Sequence, residues 1–208
     1  RKKKETKRER TYSPEEIKTL WAAFEEQNEP VQSVFKMLMI CGQRSAETRR
    51  MKWADIDLKA GAWTIPKEQT KANRTHLVPM PEMAIQILEK LHPWTGSSDY
   101  VFQSPVGNQP VEWLQKAVTR IRKASGVSDF RIHDLRRTAA SYMAKLGIGR
   151  TVLGKVLNHK GLAGDDTVTS IYDRHSYTDE KRRALNLWSQ HLEKIITGET
   201  EAKITKIG

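Results

Sequence analysis

Apolar side chains recur every three or four positions along most of the chain, a spacing typical of amphipathic helices. The first such stretch follows Ser13 and Pro14, and Glu16 stands three residues after the serine, so a capping box predicts a helix start there. The same spacing predicts further helices from Pro30 to Gly42, Ser45 to Trp53, Pro81 through Leu91, Pro110 to Ser125, His133 to Gly147, Thr151 to Leu157, and across Leu185 to Ile195.

Two short stretches follow a different pattern. Segments 62–65 and 75–78 contain β-branched and aromatic residues, and a polar loop joins them, so they predict a β-hairpin. The loop carries Lys67, Lys71 and Arg74 and would suit a finger that enters a groove. The expected fold is therefore mainly α with a small antiparallel β-sheet, of the α+β class.

The composition narrows the choice of partners. The 208 residues suffice for one domain with appendages, and they carry a net charge of +11 with a pI near 9.8. Such an excess of positive charge points to a polyanion or an acidic membrane surface. No apolar run approaches the roughly 20 residues of a membrane span, which favours nucleic acid in the cytoplasm. Cys41 is the single cysteine, so no intrachain disulfide or cysteine-rich zinc site is expected.

Charge and composition divide the chain into three parts. Residues 1–10 hold seven basic and two acidic residues, which predicts a solvated linker or arm that contacts phosphates without reading sequence. A chain that opens inside a linker is expected to follow an upstream domain. Residues 11–197 form the main body. Residues 198–208 form a tail in which 202–207 alternate apolar and polar side chains, and it is expected to pack on a neighbouring subunit, where it could add a strand.

His133 and Arg136 are three residues apart, which places an imidazole and a guanidinium on one face of a helix. A group that exchanges protons near neutral pH beside a permanently charged fork of donors suits a phosphate oxyanion. Taken alone, such a pair is more often a helix start with a solvated basic surface.

Four other residues are candidates by the same chemistry, and each has an ordinary structural alternative. Arg44 follows a buried helix, but it can instead pair with Glu47 on a surface turn. Lys71 is one of several loop lysines that can bind phosphate nonspecifically. His159 can cap a helix, and Tyr172 can be an amphipathic residue at a helix edge.

Taken in order, six residues resemble the active-site series of the tyrosine recombinases, the phage integrase family: Arg44, Lys71, His133, Arg136, His159 and Tyr172. The matching segments are 42–47, 70–71, 133–136, 157–159 and 171–172, and the resemblance runs from Thr11 to about Ile196. The motifs look most like those of integrases of temperate phages and genomic islands.

The sequence departs from the family pattern or leaves a choice at three places. Asn158 stands where the family usually has glycine. Lys67 competes with Lys71 for the hairpin position. Tyr177 competes with Tyr172, because the spacing from the second histidine to Tyr172 is longer than in many members.

The resemblance implies the family's catalytic-domain fold and an enzyme, a site-specific DNA recombinase that integrates or excises a mobile element. Tyr172 would attack a phosphodiester and form a 3′-phosphotyrosine bond, which preserves bond energy, so no ATP, metal or cofactor is expected. His133 would accept the phenol proton, and Lys71 would protonate the leaving 5′ oxygen.

The implied partner is double-stranded DNA at attachment sites. The two arginines would hold the charge that builds on the phosphate, and the residues implied to contact DNA are Arg44, Lys71, Arg136 and His159. Recombination needs four cuts, so a homotetramer on DNA is expected, with a monomer in its absence. Accessory DNA-bending or directionality factors fit the same picture. No membrane partner is expected, and the expected location is the bacterial cytoplasm or nucleoid.

Three other functions compete with this interpretation. A non-catalytic helix-turn-helix protein would use segment 144–149 as its turn and 151–157 as its second helix, with Lys155 and Lys160 toward DNA. That alternative leaves Arg44, Lys71 and Tyr172 unexplained. A metal-dependent nuclease would use acidic pairs, Asp55 with Asp57 or Asp165 with Asp166. A type IB topoisomerase would share the tyrosine chemistry without recombining DNA.

Overall fold

In a computed structural model, the structure describes residues 8–159 and 177–199. The helices of this part are α1 (Pro14–Glu25), α2 (Val31–Cys41), α3 (Ser45–Arg49), α4 (Glu82–Thr95), α5 (Gln115–Ser125), α6 (Ile132–Lys145), α7 (Arg150–Val156) and α8 (Thr178–Thr197). Its strands are β1 (Ile56–Asp57), β2 (Ala62–Ile65) and β3 (His76–Pro79). The expected class, mainly α with a small antiparallel sheet, is confirmed.

The first two helices begin and end where the sequence signals predict. The Ser13 side chain accepts a hydrogen bond from the Glu16 backbone at 3.2 Å, and the Glu16 carboxylate accepts one from the Ser13 backbone at 2.9 Å. Helix α2 ends at Gly42, whose φ of 63° is left-handed and whose N–H donates to the Leu38 carbonyl at 3.1 Å. Glycine adopts this conformation without the strain that a Cβ would add.

Helix α3 is shorter than its apolar spacing predicts. The helix expected over 45–53 ends at Arg49. The chain then pairs with the segment 100–103, where the N–H of Val101 donates to the Met51 carbonyl at 3.0 Å. A contact far along the chain thus takes the backbone groups that a longer helix would have used.

The boundaries of α4 and α5 differ from the prediction in the same way. Helix α4 continues to Thr95, so the loop expected from Trp94 begins later. Helix α5 begins at Gln115 rather than at Pro110, because the N–H of Val111 donates to the Phe102 carbonyl at 2.9 Å and holds the preceding segment extended.

The predicted hairpin is confirmed as part of a three-stranded antiparallel sheet in the order β1-β2-β3. In the β2 to β3 register, Trp63 pairs with Val78 and Ile65 pairs with His76. These four side chains are buried, so one face of the hairpin packs on the helices. The sheet therefore anchors the two ends of the loop that carries Lys71 to the helical core.

The helical core is organised around α2, whose side chains are buried on nearly every face. Helices α6 and α8 pack against it, and the indole Nε1 of buried Trp188 donates to the Met39 carbonyl at 2.9 Å. Within the described ranges 8–159 and 177–199, no helix is long and apolar enough to cross a membrane.

The described end of the basic arm differs from the solvated segment that its charge predicts. Arg8 donates to Asp134 and to Asp129, each at 2.9 Å, and Arg10 pairs with Glu16 and with Asp129. These ion pairs hold residues 8–10 against α1, α6 and the loop before α6. Residues 1–7, and the tail from residue 200 onward, lie outside the described residues.

Candidate active site

Arg136 lies in the second turn of α6 with only 7% of its surface exposed. Its guanidinium donates to the Gly42 carbonyl at 2.8 Å and to the Leu157 carbonyl. It thereby joins the ends of α2 and α7. Burial, and then the neighbouring positive charge of Arg44, lower the pKa of Arg136 to about 10, so the group stays protonated at neutral pH.

Arg44 caps the N-terminus of α3 and is held on two sides. Its Nη1 lies 2.9 Å from Oε1 of Glu47, which is 2% exposed, and its Nη2 donates to the Asn158 carbonyl at 3.3 Å. The second carboxylate oxygen of Glu47 accepts from the Arg44 backbone at 3.1 Å. The pairing that the sequence offered as an ordinary alternative therefore exists. It also orients the guanidinium, because a buried carboxylate holds it from behind.

His133 lies in the first turn of α6, three residues before Arg136. Partial burial lowers its pKa first, and the positive charges of Arg137 and Arg136 lower it further. A histidine whose pKa lies below its usual range is neutral at pH 7, and only the neutral ring can accept a proton. The predicted spacing on one helix face is confirmed, and the two side chains interact electrostatically.

One cavity of about 200 Å³ brings three of the predicted residues together. Its lining consists of Arg44, Lys71, Ala72, Asn158 and His159. The sequence places these groups on three separate segments. The cavity therefore gathers a guanidinium, an ammonium and an imidazole, which is a suitable donor set for a phosphate group.

The two hairpin lysines differ in position. Lys71 is exposed between buried Thr70 and buried Ala72 and faces the cavity. Lys67 lies in the short 3₁₀ turn Lys67–Gln69, outside the cavity lining, and its Nζ is 4.0 Å from the Glu68 carboxylate. The geometry therefore places Lys71, and not Lys67, beside Arg44.

Asn158 is a site residue that the sequence singled out only as a departure from a glycine. Its φ is 47°, which is left-handed, and asparagine is among the few other residues that tolerate this conformation. Its side chain is 2% exposed, and its Oδ1 accepts from Nε of Arg74 at 2.6 Å. The local conformation thus fits the glycine that stands there in the family. The partner of the side chain, 84 positions away, carries no local signal.

The predicted nucleophile, Tyr172, lies outside the described residues, so the structure does not test its position. The competing Tyr177 is the residue before α8 and has a left-handed φ of 53°. Its ring centroid lies 5.2 Å from the Lys155 ammonium, a cation–π distance. The choice of Tyr172 remains a prediction.

Residues named for the competing functions have structural roles where the structure describes them. Lys155, which the helix-turn-helix alternative directed toward DNA, lies on α7 over the Tyr177 ring, and Lys160 is outside the described residues. Asp57 accepts from the Ala60 backbone at 2.8 Å and closes the turn between β1 and β2. Burial raises the pKa of Asp55. The pair Asp165 and Asp166 also lies outside the described part.

Solved structures share this fold. The crystal structure of XerA recombinase matches with a TM-score of 0.63 and 20% identity, over 88% of this chain and 65% of that chain. A lambda integrase tetramer bound to a Holliday junction matches with a TM-score of 0.59 and 19% identity, over 80% of this chain and 51% of that chain. The expected fold of the tyrosine recombinase catalytic domain is therefore confirmed.

Sequence comparison gives the same family. The prophage integrase IntA of Escherichia coli (strain K12) is 28% identical over 158 residues, which are 75% of this chain and 37% of IntA. The chain thus spans well under half the length of that relative. The profile of the phage integrase family matches residues 10–179, which include all six residues of the predicted site. The chain belongs to the phage integrase family.

Proposed function

We propose that this chain is the catalytic domain of a tyrosine-type site-specific DNA recombinase, which cuts and rejoins DNA strands to integrate or excise a mobile element. The observation that carries the proposal is the cavity in which Arg44, Lys71 and His159 meet. Arg136 is bound to the carbonyl of Leu157, two residues before that histidine. Three groups that the family uses on one phosphate thus line one cavity, and the fourth, Arg136, lies close enough to Arg44 for that positive charge to lower its pKa.

The two arginines stabilise the charge of the reacting phosphate. Attack on a phosphodiester builds negative charge on the non-bridging oxygens, and preorganised donors are the most effective way to hold it. Arg44 is fixed by a buried carboxylate, and Arg136 by two backbone carbonyls. Both guanidiniums are therefore oriented before DNA binds, and His159 adds a third donor at the same cavity.

The remaining groups move protons. The phenol oxygen of Tyr172 forms a bond to phosphorus, and the bond to the 5′ oxygen breaks. Neutral His133 takes the phenol proton, and Lys71 gives a proton to the departing oxygen. The product is a 3′-phosphotyrosine and a free 5′ hydroxyl. Because the new phosphodiester keeps the energy of the old one, the reverse attack rejoins DNA without ATP or another cofactor.

The DNA substrate and the assembly follow from the same chemistry. One catalytic domain cuts one strand, and four cuts exchange two duplexes, so the proposed working unit is a homotetramer at paired attachment sites. The tetrameric lambda integrase on a Holliday junction supports this assembly. Without DNA the chain is a monomer. Accessory DNA-bending or directionality factors act on this assembly, and the site of action is the bacterial cytoplasm or nucleoid.

The proposed parts of the chain are a basic linker over residues 1–10, a catalytic domain over 11–197 and a C-terminal tail over 198–208. The tail packs on a neighbouring subunit.

Covalent trapping tests the proposed function. The protein is mixed, in excess chelator, with nicked duplexes tiled across the ends of the element that encodes it. The reaction is denatured, and any DNA-linked peptide is mapped by mass spectrometry. The expected product is a 3′-phosphate adduct on Tyr172. It disappears in Tyr172→Phe, persists in Tyr177→Phe and falls at least about a hundredfold in Arg136→Ala. Reversible binding with no adduct, also after an upstream domain is restored, would contradict the proposal.

A further inference from the structure

We propose that Arg74 and Asn158 form a latch that fixes the catalytic hairpin to the turn before His159 and so holds Lys71 over the phosphate cavity before DNA binds. The two residues are positioning residues, because they act through Lys71. The inference rests on the proposed function, since Lys71 needs a precise position only if it protonates a leaving oxygen.

The loop that carries Lys71 is closed by its own side chains. The Thr70 hydroxyl oxygen accepts from the Arg74 backbone N–H at 3.1 Å and lies 2.8 Å from the Arg74 carbonyl. The Asn73 N–H donates to the Thr70 carbonyl at 3.1 Å. Thr70 and Ala72 are buried, and Lys71 between them is exposed. The loop therefore moves as one unit, and whatever anchors Arg74 also anchors Lys71.

Arg74 is anchored at the cavity by Asn158. Its Nε donates to Oδ1 of Asn158 at 2.6 Å, and the backbone carbonyl of the same asparagine accepts from Nη2 of Arg44 at 3.3 Å. Asn158 also lines the cavity next to His159. One residue thus joins the hairpin, the arginine of α3 and the histidine, which are the three elements that must converge on one phosphate.

The asparagine side chain has costs that a glycine would avoid. A left-handed φ of 47° costs asparagine more than it would cost glycine, which has no Cβ. Among residues 8–159 and 177–199, no group accepts a hydrogen bond from the buried Nδ2 of Asn158, so these residues do not replace the contact with water that it loses on folding. What the side chain adds in return, within the described part of the chain, is the bond to Arg74. This bond is its contribution to the site.

A sulfur substrate isolates the effect of the latch from other defects. When sulfur replaces the bridging 5′ oxygen, the leaving group is a thiol, which is acidic enough to depart without a proton from Lys71. A defect confined to the position of Lys71 therefore slows cleavage of the oxygen substrate and spares the sulfur substrate. A defect in folding, DNA binding or phosphate contact slows both.

The test compares single-turnover adduct formation with the two substrates in four proteins. Lys71→Ala sets the scale, and we expect a loss of about a hundredfold on oxygen and less than about threefold on sulfur. Asn158→Gly keeps the left-handed backbone and its carbonyl but removes the acceptor for Arg74. We expect it to lose about tenfold on oxygen and less than about twofold on sulfur. Asn158→Asp keeps the acceptor, and its ratio of the two rates should stay near that of the unchanged chain.

Each outcome decides one question. Equal losses on both substrates in Asn158→Gly, or no loss on either, overturn the latch while leaving the proposed function in place. An oxygen-selective loss in Asn158→Asp as large as that in Asn158→Gly also overturns it. If the unchanged chain forms no adduct with either substrate, also after an upstream domain is restored, the proposed function fails, and the latch fails with it.

Discussion

The substitution Arg136→Met separates what the buried charge does to the stability of the fold from what it does to the rate of DNA cleavage. The residue is 7% exposed and charged, and burial is the main reason that its pKa falls from its usual value to about 10. Because one pKa unit corresponds to about 1.4 kcal/mol, keeping this charge in the folded protein costs about 3 kcal/mol. Methionine removes that cost and fills a similar volume.

The same substitution removes two hydrogen bonds from a charged donor. The carbonyls of Gly42 and Leu157 lose their partner, and each such bond contributes about 1.5 to 3 kcal/mol. The gain of about 3 kcal/mol offsets most of this loss, so we expect the free energy of unfolding to fall by no more than about 3 kcal/mol. The rate of adduct formation should fall by about a hundredfold to a thousandfold, because a preorganised donor to the phosphate is gone.

Urea unfolding and single-turnover cleavage measure the two effects. Lys123→Met, which removes an exposed charge at the end of α5, is the matched control and should change stability by less than about 0.5 kcal/mol. If Arg136→Met fails to fold, the charge is stabilising and the assigned burial cost is wrong. If it folds and cleaves at the normal rate, Arg136 does not contact the phosphate.

Three further predictions concern groups around the site. His76 is buried, and its Nε2 donates to the Val156 carbonyl at 3.1 Å. Burial lowers the pKa of His76 to about 3, so below about pH 6.5 the unfolded chain binds one more proton than the folded chain, and the free energy of unfolding decreases as the pH is lowered. Urea unfolding should show about 2 kcal/mol lost between about pH 7.5 and about pH 5 through this group, and a His76→Phe protein that keeps the full slope would refute the assignment. Gly42→Ala should lower the free energy of unfolding by about 1 to 2 kcal/mol through its left-handed φ of 63° alone, because the new Cβ would stay 3.4 Å from Ala139. Gly126→Ala, with open space and a φ of 74°, should lose a similar amount in the same assay, and a much larger loss in Gly42→Ala would show a steric clash instead. Glu47→Gln should slow cleavage about tenfold, because the guanidinium of Arg44 loses the carboxylate that holds it. Glu112→Gln, which breaks an exposed pair with Arg49 and Arg50, should leave the cleavage rate unchanged. Equal rates in the two variants would contradict a positioning role for Glu47.

The parts of this fold that depend on local rules are predictable from the sequence. A capping box starts α1, a left-handed glycine ends α2, and a spacing of three puts His133 and Arg136 on one helix face. The errors occur where a distant segment takes over backbone groups. Segment 100–103 pairs with residues on both sides of it, so α3 stops early and α5 starts late.

The candidate site could be named from the order of its residues but not assembled from them. Arg136 reaches the Gly42 carbonyl across 94 positions, and Arg44 reaches the Asn158 carbonyl across 114. In each pair, the sequence around one residue gives no information about its partner. For Arg44, the sequence set a surface pair with Glu47 against a functional role. The structure makes the two compatible, because the pair is buried on the carboxylate side and leaves the guanidinium at the cavity.

Asn158 shows why a departure from a family pattern carries physical information. A left-handed turn explains why glycine fits there, and asparagine is tolerated at the same φ, so the backbone alone gives no reason to prefer the longer side chain. Burial makes that side chain costly unless it binds something. Its partner is Arg74, on the loop that carries Lys71. Asn158 therefore destabilises its own turn and stabilises the ordered hairpin. A cost in stability of this kind is useful only if Lys71 on the hairpin has to be in place when the phosphate binds.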